Sequence, residues 1–170
     1  MAEIGVLLEL ESSYNAAQYV IRSLDTDEMD ITRVSDYQEG IAAAKRMVED
    51  GAKVLVTRAG YIPHLRGADL KVPVIEIPFT MGNITQSCVE ASRRYGCVGL
   101  AGTQYVIDQS RILDSVLGDN IKYYLASTPS DYQRVTQQAR RDGVKALVGG
   151  FDETKYAESA GLARVVMASG

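Results

Sequence analysis

Short apolar runs alternate along this chain with longer stretches in which apolar residues recur every three or four positions. The short runs are rich in β-branched residues, as buried strands are, and the longer stretches have the period of amphipathic helices. The predicted strands are Ile4–Leu10, Met29–Val34, Val54–Thr57, Val74–Ile77, Cys97–Ala101, Ile121–Leu125, Ala146–Val148 and Ala163–Met167. The predicted helices lie near Tyr14–Leu24, Tyr37–Asp50, Thr80–Arg94, Val106–Leu117, Tyr132–Asp142 and Thr154–Ala160, with a short helical turn in Tyr61–Leu70. This alternation indicates an α/β fold with mostly parallel strands.

The phrase SDYQ occurs twice, at Ser35–Gln38 and at Ser130–Gln133, each time between a predicted strand and a predicted helix. In that position its serine is the predicted N-cap of the helix, and its glutamine would complete a capping box. Each helix is followed by Asp-Gly, a lysine and a buried strand, in Asp50–Val56 and in Asp142–Val148. The order of elements is therefore β-α-β-α-β-α-β in both halves, which indicates an internal duplication.

Composition and charge narrow the class of protein. The chain has 170 residues, of which 46% are hydrophobic and 24% charged, as in globular proteins. No apolar run approaches the roughly 18 residues of a membrane span, and the N-terminus lacks the basic segment of a signal peptide. A net charge of −4 gives no broad basic surface for nucleic acid. The sequence therefore predicts a cytoplasmic protein with no membrane and no direct nucleic-acid contact.

The candidate metal-binding and nucleophilic residues are few. The chain has two cysteines, Cys88 and Cys97, and one histidine, His64, which are too few for a conventional zinc site. Both cysteines are predicted to be buried, reduced thiols that pack as small hydrophobic residues. The sequence contains no phosphate-binding P-loop, no nucleophile elbow and no HExxH motif. We therefore expect neither a metal nor a cofactor.

Candidate binding residues lie in the loops after the predicted strands, because parallel α/β sheets bind small molecules at the carboxyl ends of their strands. These loops are rich in Gly, Ser, Thr and Asn, which offer backbone N–H groups, hydroxyls and amides. Arg58 is the one guanidinium that falls directly at a strand end, where it could bind a carboxylate in bidentate fashion. The alternative interpretation is a solvated surface arginine.

Three runs of the sequence resemble the N-terminal sensory domain of propionate-catabolism activators, which are sigma-54-dependent transcriptional regulators. The runs are VLVTRAGYIPHLRGADLKVPVIEIPFT (Val54–Thr80), VGLAG (Val98–Gly102) and DGVKALVGGFDETKYAESAGL (Asp142–Leu162). The resemblance spans nearly the whole chain and implies two similar Rossmann-like lobes with parallel sheets and a cleft between them, as in periplasmic binding proteins. Together with the duplication, it predicts lobe 1 at 1–80, a connecting helix at 81–95 and lobe 2 at 96–170.

The resemblance implies a sensor domain and not an enzyme. In that family a small organic effector, 2-methylcitrate in the propionate regulators, binds between the lobes and relieves inhibition of an AAA+ ATPase in the same polypeptide, which also carries a DNA-binding module. The ligand-binding positions of the family carry over onto Thr57, Arg58, Ala59, Gly60, Thr80, Asn83, Gly102, Thr103, Gly149 and Gly150. Many relatives have a run of glycines where this chain has Arg58–Tyr61. The side chains of Ala59 and Tyr61 would narrow the space through which a ligand approaches this loop. The predicted effector is a small organic anion similar to 2-methylcitrate.

Two other functions stay open from the sequence. Two-lobed racemases and decarboxylases that act on small acids also have duplicated α/β halves, and such an enzyme would need Cys88 and Cys97 to face each other across the cleft. A phosphoacceptor receiver domain would use Asp152, which follows a predicted strand. Receivers also need an acidic pair after the first strand, which Glu9 and Glu11 fit poorly.

The duplication also predicts a helix after the last strand. In the first half the strand Val74–Ile77 is followed by the helix Thr80–Arg94, whereas the sequence stops at Ser169-Gly170 after the equivalent strand of the second half. A further helix is therefore expected there, and in a multidomain regulator it would connect the sensor to the output modules. On this interpretation the chain is an excised N-terminal domain. Whether it dimerises is left open.

Overall fold

The computed structural model describes residues 2–58 and 61–167 of the chain. These residues belong to two compact units, Met1–Pro78 (unit 1) and Phe79–Gly170 (unit 2). Each unit contains one four-stranded parallel sheet flanked by helices. Within the described ranges none of the helices combines the length and the apolar composition that crossing a membrane requires.

Unit 1 is built on sheet 1, whose strands pair in the order β2-β1-β3-β4, all in parallel. Its elements are β1 (Ile4–Leu8), α1 (Glu11–Leu24), β2 (Met29–Arg33), α2 (Tyr37–Glu49), β3 (Val54–Arg58), α3 (Ile62–Arg66) and β4 (Val74–Ile77). The central strands β1 and β3 carry the most buried side chains, because they have a neighbouring strand on both sides.

Unit 2 is built on sheet 2, whose strands pair in the order β6-β5-β7-β8, again all in parallel. Its elements are α4 (Met81–Tyr95), β5 (Val98–Gly102), α5 (Gln104–Ser110), α6 (Asp114–Leu117), β6 (Ile121–Leu125), α7 (Pro129–Arg141), β7 (Ala146–Gly149) and β8 (Ala163–Val166). Short 3-10 turns follow α5, α6 and the β7 loop, at Arg111–Leu113, Gly118–Asn120 and Glu158–Ala160. The two sheets therefore share one strand order, and the predicted α/β fold of two similar lobes is confirmed.

One face of each sheet is covered by the helix that precedes its third strand. In unit 1, Leu7 and Leu55 pack with Ala43, Ala44 and Met47 of α2. In unit 2, Leu147 packs with Val135 and Ala139 of α7 in the corresponding cluster. The internal duplication thus extends from the order of the elements to the packing of the core.

The two helices match residue for residue in what they bury. The buried residues of α2 are Gly40, Ala43, Ala44 and Met47, and those of α7 are Tyr132, Val135, Thr136 and Ala139. Each residue of the second set lies 92 positions after its counterpart in the first set. The same offset relates Leu55 of β3 to Leu147 of β7, each of which pairs with a glycine of the central strand.

The SDYQ phrase lies at the start of both helices but in different positions, so the predicted serine caps are wrong. The N-cap of α2 is Asp36, whose carboxylate accepts a hydrogen bond from the Glu39 backbone N–H at 2.8 Å. The N-cap of α7 is Thr128, and Asp131 completes its capping box. The copies are 95 residues apart, whereas the helices are offset by 92. The phrase is therefore displaced by three residues and is not the duplicated feature itself.

Two predicted helices differ from the structure. The predicted helix 106–117 is broken into α5, a 3-10 turn and α6, where the Ser110 hydroxyl donates a short hydrogen bond of 2.5 Å to the Val106 carbonyl. The predicted helix 154–160 is wrong, because residues 151–157 form turns that lead into a 3-10 turn. The other predicted helices and all eight predicted strands are confirmed within a few residues of their expected bounds.

Candidate functional site

The predicted binding residues lie at three places in the described part of the chain. Thr57 and Arg58 end β3 at the carboxyl edge of sheet 1. Thr80 and Asn83 lie at the start of α4. Four residues lie at the carboxyl edge of sheet 2, namely Gly102, Thr103, Gly149 and Gly150. The remaining two, Ala59 and Gly60, lie outside the described residues.

Arg58 is the charged group at the carboxyl edge of sheet 1. Its side chain is half-buried, and Nη1 donates a hydrogen bond to the Pro78 carbonyl at 3.1 Å, just after β4. Burial lowers the pKa of the Arg58 guanidinium, while the negative charge of Glu9, which follows β1, raises it. The hydrogen bond to Pro78, which follows β4, holds the guanidinium at the carboxyl ends of the strands. An arginine held in this way suits bidentate binding of a carboxylate.

A second arginine borders the same edge. Arg33 ends β2, and its Nε donates to the Glu9 carbonyl at 3.4 Å, while Nη1 lies 3.5 Å from the Glu11 carboxylate. Both side chains of the Arg33–Glu11 pair are more than half exposed, so this pair contributes little to stability. The described residues at the carboxyl edge of sheet 1 thus include two arginines, of which Arg58 is half-buried and Arg33 is exposed, and two glutamates, Glu9 and Glu11.

Thr57 has a structural role that the sequence did not predict. Its side chain is fully buried, and its hydroxyl donates to the Leu7 carbonyl at 2.9 Å. This bond links β3 to the neighbouring strand β1. Ligand contact by Thr57 stays a prediction, since the observed partner of its hydroxyl is the sheet.

Thr80 and Asn83 bind each other as the capping box of α4. The Asn83 N–H donates to the Thr80 hydroxyl oxygen at 3.2 Å, and the Thr80 N–H donates to the Asn83 carboxamide oxygen at 3.1 Å. The Thr80 hydroxyl also donates to that oxygen at 2.7 Å. Their predicted role in ligand binding is untested, and local capping accounts for both residue types.

The glycines at the carboxyl edge of sheet 2 are required by close packing. A Cβ atom on Gly149 would lie 2.8 Å from the Ala101 carbonyl oxygen, and one on Gly102 would lie 2.9 Å from Val106. A Cβ atom on Gly150 would overlap the Glu153 carboxylate. Thr103 is the N-cap of α5 through its backbone, without a side-chain cap bond. These residues are thus explained by the fold, and ligand binding by them stays a prediction.

The loop after β7 holds a polar cluster that the sequence did not predict. Arg164 of β8 donates from Nη2 to the Phe151 carbonyl at 2.6 Å and from Nε to the Thr154 hydroxyl at 3.1 Å. Its guanidinium also lies 4.6 Å from the centre of the Phe151 ring. Asp152 and Glu153 are each only 5% exposed. Burial raises the pKa of Tyr132, and the negative charges of Glu153 and Asp152 raise it further. A receiver domain needs a solvent-accessible aspartate as its phosphoacceptor, whereas Asp152 is buried.

The thiols are placed unfavourably for a cysteine-dependent enzyme. Cys88 is fully buried in α4, and burial raises the pKa of its thiol to about 12. Cys97 precedes β5, at the amino edge of sheet 2, and its Sγ lies 3.7 Å from the Asp119 carbonyl oxygen. Neither thiol therefore lies at the carboxyl edge of sheet 2, where a substrate of an α/β enzyme would bind.

Other potential sites in the described residues do not suit an organic anion. His64 stacks on Tyr37 with ring centres 4.5 Å apart. Two grooves in unit 1 lie at the amino ends of the strands; one includes Asp30 and Asp50, the other Asp25 and Asp27. Their negative charge disfavours anions. Within residues 2–58 and 61–167 no three His, Cys, Asp or Glu side chains are grouped as metal ligands.

Comparison with solved structures shows which proteins share this fold. The crystal structure of an NtrC family transcriptional regulator from Clostridium acetobutylicum superposes with a TM-score of 0.84 at 18% identity, covering 99% of this chain and 88% of that chain. An ABC transporter solute-binding protein from Conexibacter woesei gives 0.42 at 15% identity, covering 99% and 71%. An ABC sugar transporter subunit from Rhodobacter sphaeroides gives 0.44 at 13% identity, covering 95% and 76%. Only the first similarity is high enough to support the shared fold.

Comparison of sequences identifies the family. No curated protein matches the chain at a significant level. Residues 25–170 match the family described as propionate catabolism activator. The matched range runs from β2 to the end of the sequence and includes every binding residue predicted from the sequence. This match agrees with the regulator fold and with the resemblance seen in the sequence. The chain therefore belongs to the propionate catabolism activator family.

Proposed function

We propose that this chain is the sensing domain of a transcriptional activator, that its effector is a small organic anion, and that Arg58 is the main charged contact of the effector. The observation that carries this proposal is the half-buried Arg58 guanidinium at the carboxyl end of β3, held by the Pro78 carbonyl at 3.1 Å. Because partial burial weakens solvent screening, a carboxylate would bind this guanidinium more strongly than a fully exposed arginine.

Glu9 has a defined part in the proposal. Its carboxylate supplies the negative charge beside Arg58 in the structure. An effector carboxylate would take the place of Glu9 next to the guanidinium. The chain would then have two states, in which Arg58 faces either its own glutamate or the effector, and such an exchange is the differential contact that a ligand switch requires.

Membership of the activator family supports a proposal for the output. We propose that effector binding relieves inhibition of an AAA+ ATPase module in the same polypeptide, which also carries a DNA-binding module. The cleft and 2-methylcitrate as the effector stay predictions.

Thermal unfolding with a panel of carboxylates tests the proposal. Citrate, 2-methylcitrate and simple dicarboxylates are added to the wild-type chain, to Arg58→Ala and to the control Arg46→Ala, an exposed arginine of α2. A ligand at a hundred times its Kd stabilises by about 2.7 kcal/mol, which raises Tm by roughly 5–10 °C. We expect this rise in the wild type and in Arg46→Ala, and its loss in Arg58→Ala.

Glu9→Gln gives the opposite expectation from Arg58→Ala. Because it removes the competing charge next to Arg58, it should lower the Kd of the same carboxylate, measured by calorimetry. Two results would contradict the proposal: no carboxylate raises Tm of the wild type, or Arg58→Ala retains the full rise. A neutral metabolite that raises Tm equally in the wild type and in Arg58→Ala would still support a sensing role, but it would exclude Arg58 as the main contact of the effector.

A further inference from the structure

Helix α4 covers one face of sheet 2, although it comes directly after β4 of sheet 1 in the sequence. It packs on β5, β7 and β8, and it buries Ile84, Ser87, Cys88 and Ala91, which recur at the spacing of one helix face. Since α7 covers the opposite face, sheet 2 is enclosed on both sides. As a result all residues of β5 and β7 are buried.

On the corresponding face of sheet 1, α1 packs on β1 and β2, whereas the part formed by β3 and β4 is open in the described part of the chain. The strand pairings align Val56 of β3 with Ile75 of β4 in unit 1, and Val148 of β7 with Val165 of β8 in unit 2. Val148 is fully buried, whereas Val56 is only half-buried and Ile75 is 53% exposed. We call the face formed by Val54, Val56, Ile75 and Ile77 the open face; its other two members are also half-buried.

The duplication indicates where in the sequence the counterpart of α4 would lie. Helices α1 and α2 correspond to α5 and α7, which likewise come after the first and second strands of their unit. The counterpart of α4 would come after β8. The pairings align Glu76 with Thr57 and Val166 with Gly149, which sets β8 90 positions after β4. Because α4 begins at Met81, its counterpart would begin at position 171, one residue past the end of the sequence.

We propose that the open face is the docking site of an amphipathic helix, and that this helix is the segment that continues the polypeptide from β8. Its buried stripe would have the spacing of Ile84, Ser87, Cys88 and Ala91 in α4. Ile75 is larger than its counterpart Val165, so the residue of the helix that covers it would be small, such as alanine or glycine, for the helix to lie flat on the sheet.

The docked helix would lie beside the proposed effector site. Residues 54, 56 and 58 of β3 alternate onto one face, so Arg58 ends the row of residues that forms the open face. Helix α4 ends at Tyr95, just before β5 begins at the amino edge of sheet 2, so α4 starts at the carboxyl edge of the sheet that it covers. If its counterpart lies on sheet 1 in the same way, its first N–H groups would be near Arg58. This last step rests on the proposed function: an anion bound at Arg58 would interact favourably with that helix start and stabilise docking.

Thiol labelling tests whether the open face is covered. Ile75→Cys is introduced in a Cys97→Ser background, both in the 170-residue chain and in the polypeptide that the gene encodes past Gly170. The matched control is Ala42→Cys, at an exposed position of α2, the helix that covers the opposite face of sheet 1. We expect the Ile75→Cys thiol to react at least about tenfold more slowly in the encoded polypeptide, since the docked helix must cover it in most molecules. The Ala42→Cys thiol should react equally fast in both.

Backbone hydrogen exchange on the unsubstituted proteins guards against a variant that itself prevents docking. The amides of β3 and β4 should exchange more slowly in the encoded polypeptide than in the 170-residue chain. Equal labelling and equal exchange in the two proteins would overturn the proposal. Protection of the 170-residue chain that increases with protein concentration would also overturn it, because a second copy would then cover the face. No effector is present in these measurements, so they are independent of the test of Arg58.

Discussion

A buried tyrosine ring fills the core of each unit, and it comes from a different element in each. In unit 1 the ring belongs to Tyr61, which precedes α3, and a Cβ atom on Gly40 of α2 would overlap it. In unit 2 the position equivalent to Gly40 is Tyr132, whose own ring is buried. The glycine in α2 is therefore explained by its neighbour and not by backbone conformation. This complementarity could not be predicted from the order of the residues.

Substituting Gly40 should distinguish packing from helix propensity. Alanine normally stabilises a helix interior over glycine by about 0.5–1 kcal/mol. At Gly40 the added methyl would displace the Tyr61 ring, so Gly40→Ala should instead lower the free energy of unfolding by about 1–3 kcal/mol. The control is Gly82→Ala in α4, where the added Cβ would lie 3.6 Å from the nearest neighbour, the Thr80 hydroxyl. Urea unfolding measures both, and a stabilising Gly40→Ala would contradict the packing explanation.

The two thiols should differ sharply in reactivity. Cys97 is half-buried, whereas Cys88 is fully buried with a thiol pKa of about 12. At pH 8 the folded chain should therefore show one fast-reacting thiol, which Cys97→Ser removes and Cys88→Ser leaves unchanged. Cys88 should react only on the timescale of unfolding. A fast reaction of Cys88 would reopen the thiolate enzyme as an alternative function.

At the scale of single elements, the strands were predictable and the capping residues of α2 and α7 were not. Most strands are short runs rich in β-branched and other apolar residues, and this signal agrees with the folded protein. The helix starts depend on which of several polar residues accepts the first N–H bonds. Ser35 donates its hydroxyl to the Glu39 carboxylate at 2.6 Å, leaving the cap to Asp36. Residues 151–157 fail as a helix because the bonds of Arg164 to Phe151 and Thr154 hold them in turns.

The capping box of α7 should make stability depend on pH. The hydrogen bond from Arg134, together with those from the Thr128 and Ser127 backbones, lowers the pKa of Asp131 to about 2. Asp131→Asn should destabilise by about 0.5–2 kcal/mol at pH 7, as for loss of a cap. The difference from wild type is full above the unfolded-state pKa near 3.8 and disappears as the pH falls from there through about 2. Urea unfolding between pH 7 and pH 2 measures it, and a difference that grows on acidification would contradict the assignment.

At the scale of the whole molecule, the duplication was the most informative prediction. The strand order β2-β1-β3-β4 in unit 1 equals the order β6-β5-β7-β8 in unit 2, as a duplication requires. The candidate site was less predictable, because strand-end glycines, threonines and asparagines also serve packing and capping. Among the predicted binding residues, Arg58 has the clearest chemical interpretation, since neither packing nor capping requires a cation at that position.

The assignment of α4 to unit 2 predicts which fragments fold. Residues 79–170 contain sheet 2 with helices on both faces. Residues 96–170 lack α4 and would expose the side of Leu100 and Val148 that it covers. We expect the longer fragment to unfold cooperatively in urea and the shorter one to show no cooperative transition, because burial of that face supplies much of its apolar contact. Cooperative unfolding of both fragments with equal midpoints would contradict this.

Helix α4 also bears on how such a chain could have arisen. A single-lobe ancestor that ended in this helix would have left one side of its own sheet bare and covered that of another molecule. Two such molecules exchanging their terminal helices form a domain-swapped dimer. Joining the two copies head to tail would make one exchange permanent, and this agrees with the packing of α4 on sheet 2 directly after β4 of sheet 1. The reciprocal exchange would then depend on the terminal helix of the fused chain, which would still be able to dissociate from sheet 1.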